Sequence, residues 1–550
     1  MLLNQNTALE DLLSIGSSLS SEKDTTKLLE EILQSAMRFT NADAGSLYLV
    51  LNDIELKFEI VINKSKGLHI GGKSNQAIDP IFKAQNTETS NVIDTKIIPL
   101  YLPNGQPNLT KVVCNAVHLA KTINIPDVYD TTDYDFSGTK LIDQKNKYRS
   151  KSFLTVPMMN HDAEVLGVLQ LINAIDAETN EIIPFSQDSQ KIVEALTSQA
   201  TIAMTNRLLI DHLESLFVSL INLINQAIDD KSPYTAGHCN RVPDLTLMLA
   251  DALNRCKIGP LSAFNISAAD RYELKIAGLL HDCGKITTPV HIVDKATKLE
   301  TIFDRINLIE LRSEIMMRDI ALLSVKQEIS EDDAQTMRKQ LMEDSQFLYR
   351  CNTGVESMKD EEIARIHQIA ERYRWVDQSG IAHPYLNANE VQNLTVRSGT
   401  LTPDERKIIN RHIESTINML EQLPWPTHLK NVPEYAGGHH ERMDGKGYPK
   451  GLTREQMSIQ ARCMGIADIF EALTAKDRPY KKGKTLSESL HILGKMKLNG
   501  HIDPDLFDVF IWEKVYEEYA QKFLDEQQID LVDVTQIPGY QAPPINQSLR

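Results

Sequence analysis

The sequence predicts a multidomain chain: an α+β domain with an antiparallel sheet and flanking helices, a long connecting coiled-coil helix, and an all-α domain with a helical insertion. Three observations lead there. Two pairs of apolar runs sit between terminal helices in the first part of the chain, a leucine seam follows, and beyond it histidines and aspartates recur in stretches that read as helical. At 550 residues the chain is too long for one core, and about two to four domains is the expectation from length.

Residues 8 to 40 read as an amphipathic helix pair, with Leu12, Leu13, Leu28, Leu29, Ile32 and Leu33 apolar among charges. Residues 44–50 and 56–62 alternate like the strands of a hairpin turning at Asn52-Asp53. A second strand pair is expected at residues 152–159 and 165–173, and a helix from about Ser186 closes the layer. The next stretch, 189 to 230, reads as one long helix. In it Leu209, Leu213, Leu216, Leu220, Leu223 and Ala227 recur at spacings of 4 and 3, a heptad seam. Such a seam either packs on its own domain or pairs with a second copy; a parallel homodimer through residues 206–230 is the favoured reading.

The all-α domain is expected from residue 231 to 525. Pro243 falls inside its first helical pattern, so either a kink or a helix starting near Val242 is expected, with His238 in a separate turn. Residues 301–348 and 355–375 are charged and helical in pattern, and 375–400 is rich in turn residues. Helices run on to Leu524, with Asp503-Pro504-Asp505 as a helix start, and residues 526–550 read as a loose polar tail.

Composition narrows the function. Apolar content of 42% and charged content of 24% are those of a globular protein. No uninterrupted apolar run reaches the roughly 18 residues of a membrane span, and the polar start Met1-Leu2-Leu3-Asn4 does not read as a signal peptide, so a cytoplasmic protein is expected. The net charge of −17 disfavours long nucleic acid as a partner. Six cysteines without Cys-x-x-Cys spacing suggest buried thiols rather than a thiolate metal site or a disulfide framework.

Chemistry concentrates around Leu279-Leu280-His281-Asp282-Cys283-Gly284-Lys285, where one helical turn offers two metal-ligand atoms with a cation beside them. A His-Asp pair alone is weak: His161-Asp162 forms another, in a polar turn where a solvated loop is the better reading. The first pair has company in His238, His412, the tandem His439-His440 and Asp468. Imidazoles and carboxylates without thiolates suit an open catalytic site for Fe, Mn, Ni, Co or Zn. A carboxylate such as Asp282 can bridge two ions, and two ions suit hydrolysis of a phosphodiester.

Those motifs, with Gly438-His439-His440-Glu441-Arg442-Met443-Asp444-Gly445-Lys446-Gly447-Tyr448-Pro449 and Gly465-Ile466-Ala467-Asp468, resemble the HD-GYP subgroup of the HD phosphohydrolases from about residue 225 to 525. The resemblance implies a phosphodiesterase of cyclic dinucleotides. It implies two divalent ions, iron or manganese first, held by His281, Asp282, His412, His439, His440 and Asp468, with His238 as a further ligand when a third ion is present. Tyr234 stands where three-metal relatives have Glu, which favours two ions. Lys285 would contact the scissile phosphate, and Tyr448, Glu471, Arg478 and Lys481 would contact the substrate. Tyr448 and its loop could alternatively meet a partner protein, such as a GGDEF domain. Compact relatives lack most of residues 301–398, a candidate helical hairpin over the domain, the dimer or the active-site mouth.

Earlier in the chain, Ile125-Pro126-Asp127-Val128-Tyr129, Tyr148-Arg149-Ser150, Gly167-Val168-Leu169-Gln170-Leu171-Ile172-Asn173 and Phe185-Ser186-Gln187-Asp188 resemble GAF domains. That likeness places a sensor at about residues 8–205, which binds an unnamed small ligand or dimerises. His69 and His118 read as structural rather than as haem ligands. The expected activity is hydrolysis of cyclic di-GMP to pGpG and further to GMP. The alternatives are hydrolysis of 3′,3′-cyclic GMP-AMP, and an adaptor that binds the dinucleotide without turnover.

Overall fold

The computed structural model describes residues 25–71, 97–231, 237–354, 357–475 and 483–544. Two compact units divide the chain, Met1–Phe217 and Val218–Arg550.

In the first unit, α1 (Thr25–Phe39) precedes a hairpin of β1 (Ala42–Leu51) and β2 (Glu55–Asn63). Asn52 and Asp53 turn it with left-handed φ of 51° and 61°, a region that short polar side chains tolerate best after glycine. Then come β3 (Leu68–Gly71), β4 (Ile97–Pro99), α2 (Val112–Leu119), β5 (Ile123–Ile125), α3 (Ser137–Asn146), β6 (Phe153–Met159), β7 (Val165–Ile175) and β8 (Ile182–Ile183). The antiparallel sheet runs β3-β2-β1-β7-β6-β5, with β4 on β2 and β8 on β7. Alternation along β1 splits the core in two. Leu47 faces α1 with Leu29, Ile32 and Leu33, whereas Tyr48 faces Val113 and Cys114 of α2. The expected α+β layer is therefore present; the part of the expected helix pair before residue 25, with Leu12 and Leu13, lies outside the described residues.

Helix α4 spans Gln187–Lys231, 45 residues. Among the described residues it is the one helix long and apolar enough to cross a membrane, with a mean hydropathy of 1.4 over its most apolar window. Near its end Ile221, Asn225 and Ile228 are buried along one face, while Leu209, Leu213, Leu216, Leu220 and Leu223 are 51% to 66% exposed.

The second unit is helical. It begins with α5 (His238–Arg255) and α6 (Ala268–Leu280), followed by a 3₁₀ turn at Cys283–Thr287. Contrary to the expected separate turn, His238 is the first residue of α5, and Pro243 sits within that helix without ending it. A proline there forfeits one backbone bond, but Gly278 of α6 packs so closely on it that an added Cβ would lie 3.0 Å from Pro243 Cα. Tertiary packing offsets the lost bond.

The insertion comprises α7 (Ile306–Val325), α8 (Glu331–Asn352), α9 (Asp360–Arg372), a two-stranded hairpin of Arg374–Val376 and Ala382–Pro384, and α10 (Ala388–Leu394). The expected stretch 301–348 is thus two helices. Gln327 takes a φ of 60° and Ser330 caps α8 through Asp333 N–H, which breaks the run. The insertion has its own core, including Ile309, Leu341, Leu348, Ile366 and Tyr385. Its stem is closed by two buried lysines. Lys295 pairs with Glu405 at 2.7 Å and Asn393 at 2.7 Å; Lys298 donates to the carbonyls of Leu394 and Val396.

After it come α11 (Pro403–Glu421), α12 (Val432–Gly437), α13 (Ile459–Thr474), α14 (Leu486–Leu498), α15 (Pro504–Trp512) and α16 (Val515–Phe523). The tail expected to be loose is packed as far as Gln541. Gln528 donates to the carbonyls of Thr474 and Lys484, Ile537 joins the core, and Lys497 and Trp512 hold the carbonyls of Gly539 and Gln541. Side-chain donors on earlier helices thus satisfy backbone that composition alone left unpaired.

Candidate metal centre

Five separate segments bring the histidines and carboxylates to one place. Ser267 and Asp270 form a capping box that starts α6, and the helix delivers His281 and Asp282 at its end. Helix α5 supplies His238 from its first turn, α11 supplies His412, the residues after α12 supply His439 and His440, and α13 supplies Asp468 and, one turn on, Glu471. Two groups of candidate ligand atoms result, His412–His439–His440 and His238–His281–Asp282, with the atoms of each within 4.8 Å of one another.

Asp282 lies between them. Its Oδ1 is 3.3 Å from His412 Nε2, and its Oδ2 is 3.2 Å from both His238 Nε2 and His281 Nε2. Asp468 Oδ1 stands 3.3 Å from His238 Nε2. Three rings are oriented by their own helices: His281, His412 and His439 donate from Nδ1 to the carbonyls of Gly278, Ile409 and Ala436 at 2.6 to 2.7 Å. That bond fixes the tautomer and turns the Nε2 lone pair inward. Lone pairs on His281 and His412 then face carboxylate oxygens of Asp282, and His439 Nε2 and Asp282 Oδ1 are buried without a hydrogen-bond partner. Acceptors facing acceptors in a buried site fit cations between them.

Electrostatics follow the same geometry. Burial opposes charge on His238, yet the carboxylates of Glu471, Asp282 and Asp468 outweigh it and raise its pKa, so a cation bound there would displace the Nε2 proton. Burial would raise Asp282, but the Lys285 ammonium beside it holds it well below the usual carboxylate range. His238 does the same for Asp468. Burial lowers His440 to about 4 and also lowers His439, which keeps both imidazoles neutral, as ligands must be. Lys285 Nζ sits 2.5 Å from Asp282 Oδ2; burial would lower its pKa, but Asp282 and Asp468 raise it, so it stays a cation.

Other expected residues sit differently. Tyr448 stacks on His440 with centroids 4.9 Å apart and planes at 24°. Glu471, expected at the substrate, is buried behind His238: Oε2 is 2.5 Å from His238 Nδ1 and Oε1 is 2.7 Å from Arg241 Nε. Both its oxygens are engaged, so it orients an imidazole rather than meeting a ligand. His238, expected to serve a third ion, points its Nε2 into the same cluster as His281 and Asp282. Arg478 and Lys481 lie outside the described residues. The His161-Asp162 pair is exposed, as expected of a solvated loop, and His118 Nε2 lies 2.6 Å from the Leu100 carbonyl oxygen. All six cysteines are buried and unpaired; burial pushes Cys239 up to about 12 and Cys283 to about 11, so neither is a thiolate.

Sequence reasoning missed three supports. Arg241, one turn after His238, anchors Glu471. Thr416, one turn after His412, accepts Gly284 N–H at 2.9 Å. Glu441, beside the tandem histidines, accepts Lys450 N–H and Leu452 N–H and so braces the loop of Tyr448. Helical spacing of 3 and 4 from a candidate ligand was the available signal for the first two.

The fold and this cluster define the class. Residues 24–204 match the family model of the GAF domain, and residues 235–373 and 382–506 match two models of the HD domain. The chain carries a GAF domain followed by an HD domain region, and HD domains are metal-dependent hydrolases. Among individual proteins it is similar to a cyclic di-GMP phosphodiesterase of Pseudomonas aeruginosa, 38% identical over 21% of this chain and 27% of that one. A probable cyclic di-GMP phosphodiesterase of Vibrio cholerae is 37% identical over 24% of this chain and 32% of its own. A 3′3′-cGAMP-specific phosphodiesterase of the same organism is 29% identical over 30% of this chain and 38% of its own. The chain thus spans under two-fifths of the length of each of these relatives.

Proposed function

We propose that this protein is a metal-dependent, HD-GYP-type phosphodiesterase that hydrolyses cyclic di-GMP to pGpG, under control of its GAF domain. The observation that carries the reading is Asp282, whose two oxygens serve two groups of inward-turned imidazoles. His281, His238 and Asp468 with one oxygen of Asp282, and His412, His439 and His440 with the other, would hold two divalent ions. Bound there, the ions would supply Lewis acidity toward the phosphate and an acidified water at neutral pH. Iron or manganese is the favoured metal, though nickel, cobalt or zinc also suits these donors.

The chain's own residues do the rest. Lys285, held charged beside Asp282, is placed to take up a non-bridging phosphate oxygen as negative charge builds. Burial of the imidazoles and of Asp282 excludes competing water from the donors. Tyr448, parallel to the His440 ring, offers a face on which a base can stack. The water oxygen bonds to phosphorus, the P–O3′ bond breaks, and the leaving oxygen takes a proton, which yields a 3′-hydroxyl and a 5′-phosphate. A second reading, hydrolysis of 3′,3′-cyclic GMP-AMP, draws on the Vibrio relative of that specificity.

A homodimer through α4 accounts for the exposed leucines, which form a stripe interrupted by Asp211 and Glu214 and then by polar residues, Ser215, Ser219 and Asn222. A stripe fits a coiled coil, whereas a membrane span is apolar all round; a cytoplasmic enzyme is therefore the reading adopted. The decisive assay incubates manganese-loaded or anaerobically iron-loaded protein with cyclic di-GMP and, in parallel, 3′,3′-cyclic GMP-AMP. Asp282→Ala is expected to lose bound metal and turnover together. Lys285→Ala is expected to keep its metal and lose about 10²- to 10³-fold in kcat. Undiminished hydrolysis by either variant refutes the assignment.

A further inference from the structure

The turn that carries Lys285 is held on two sides. On one, Gly284 lies flat against α11: an added Cβ would meet His412 O at 2.0 Å and Thr416 N at 2.5 Å, and Gly284 N–H donates to Thr416 Oγ1. On the other lies the last residue of α4. Lys231 Nζ donates to Ile286 O, to Thr288 O at 2.7 Å and to Lys285 O at 3.4 Å. Carbonyls at the end of a short 3₁₀ helix have few partners of their own. An ammonium has three donors for them, and its charge suits that end. Two residues back along α4, Asp229 Oδ2 accepts Gly237 N–H at 3.2 Å, and Gly237 is the N-cap of α5, whose first residue is His238.

The final turn of α4 therefore touches both pieces of backbone that aim the centre, Lys231 at the carbonyls beside Lys285 and Asp229 at the N-cap of His238. We propose that Asp229 and Lys231 are positioning residues that fix the Lys285 turn and the His238 N-cap to the end of α4, so that the setting of this helix sets the rate at the site. The inference rests on the phosphodiesterase reading and adds to it the contact through which a 45-residue helix beginning at Gln187 acts on the chemistry. Helices shift axially or rotate as stiff units, and Lys231 converts such a shift into displacement of Lys285. Unlike the metal ligands, it does so without altering the donor set.

The test uses the full-length, manganese-loaded protein. Lys231→Met keeps the length of the side chain and removes the ammonium. Expected are a loss of about tenfold in kcat for cyclic di-GMP, typical of a sub-ångström to 1 Å misplacement, with KM, bound metal and melting temperature unchanged, and recovery of most of the rate in Lys231→Arg. A second readout needs no turnover: acylation of Lys285, followed by peptide mass spectrometry, should accelerate several-fold in Lys231→Met and return toward the unaltered rate in Lys231→Arg. Unaltered kcat and unaltered labelling overturn the proposal, as does a rate loss that tracks loss of bound metal. If the unaltered protein turns over no cyclic dinucleotide, the phosphodiesterase reading fails, and the labelling still decides whether Lys231 positions Lys285.

Discussion

Gly284 shows how tightly a single residue can be constrained by chemistry it does not perform. Its missing side chain lets the 3₁₀ turn lie against the backbone of α11 at the level of His412, and backbone cannot yield as a flexible side chain can. Gly284→Ala should therefore push the turn and His412 apart, with loss of bound metal and about a hundredfold loss of kcat/KM, the scale of a 1 Å misplacement. Elemental analysis beside the rate checks this; full metal occupancy with normal kinetics would show that the contact relaxes freely. The candidate cluster was legible in the sequence, because five histidines and two aspartates fell on one pattern of motifs. The role of Glu471 was not, since its chemistry depends on which way α13 faces α5. Only the fold brings Arg241 and His238 to its two oxygens.

At the level of elements, the heptad spacing in α4 was readable because leucine periodicity reports which face seeks a partner. The structure extends that helix from Gln187 to Lys231 and leaves the seam exposed. Leu216→Glu with Leu220→Glu should place like charges across a parallel seam and shift a dimer toward monomer in sedimentation; an unchanged sedimentation coefficient would remove the coiled coil. Boundaries proved harder. Pro243 suggested either a kink or a late helix start, and the late start is overturned: packed on Gly278, α5 runs from His238 through the proline. In the insertion, the turn at residues 327–330 was hidden in a charged run, because its left-handed residue is Gln327 rather than glycine.

Across the second unit, charge networks tie distant segments alongside the apolar core. Asp503 is fully buried and accepts Arg454 at 2.9 Å as well as Arg462, while its Oδ1 caps α15 through Asp505 N–H and Leu506 N–H. Composition gave no hint of this network, since its partners lie 41 and 49 positions apart in sequence. Burial would raise the Asp503 pKa, but the arginines and the Leu506 N–H lower it below its ordinary value of 3.8. A depressed folded pKa means that the unfolded chain binds the proton more readily. The carboxylate's contribution to stability is then complete above about pH 4 to 5 and disappears as pH falls through the folded value. Asp503→Asn keeps the helix cap, because Asn caps as well as Asp, and removes only the charge. At pH 7 it should cost about 3 kcal/mol, since Arg462 is left buried without its partner. In urea denaturation monitored by helical circular dichroism, the gap between variant and unaltered protein should narrow as pH falls below about 4. A gap of constant size from pH 7 to pH 3 would show that Asp503 acts through shape and packing, not through its charge.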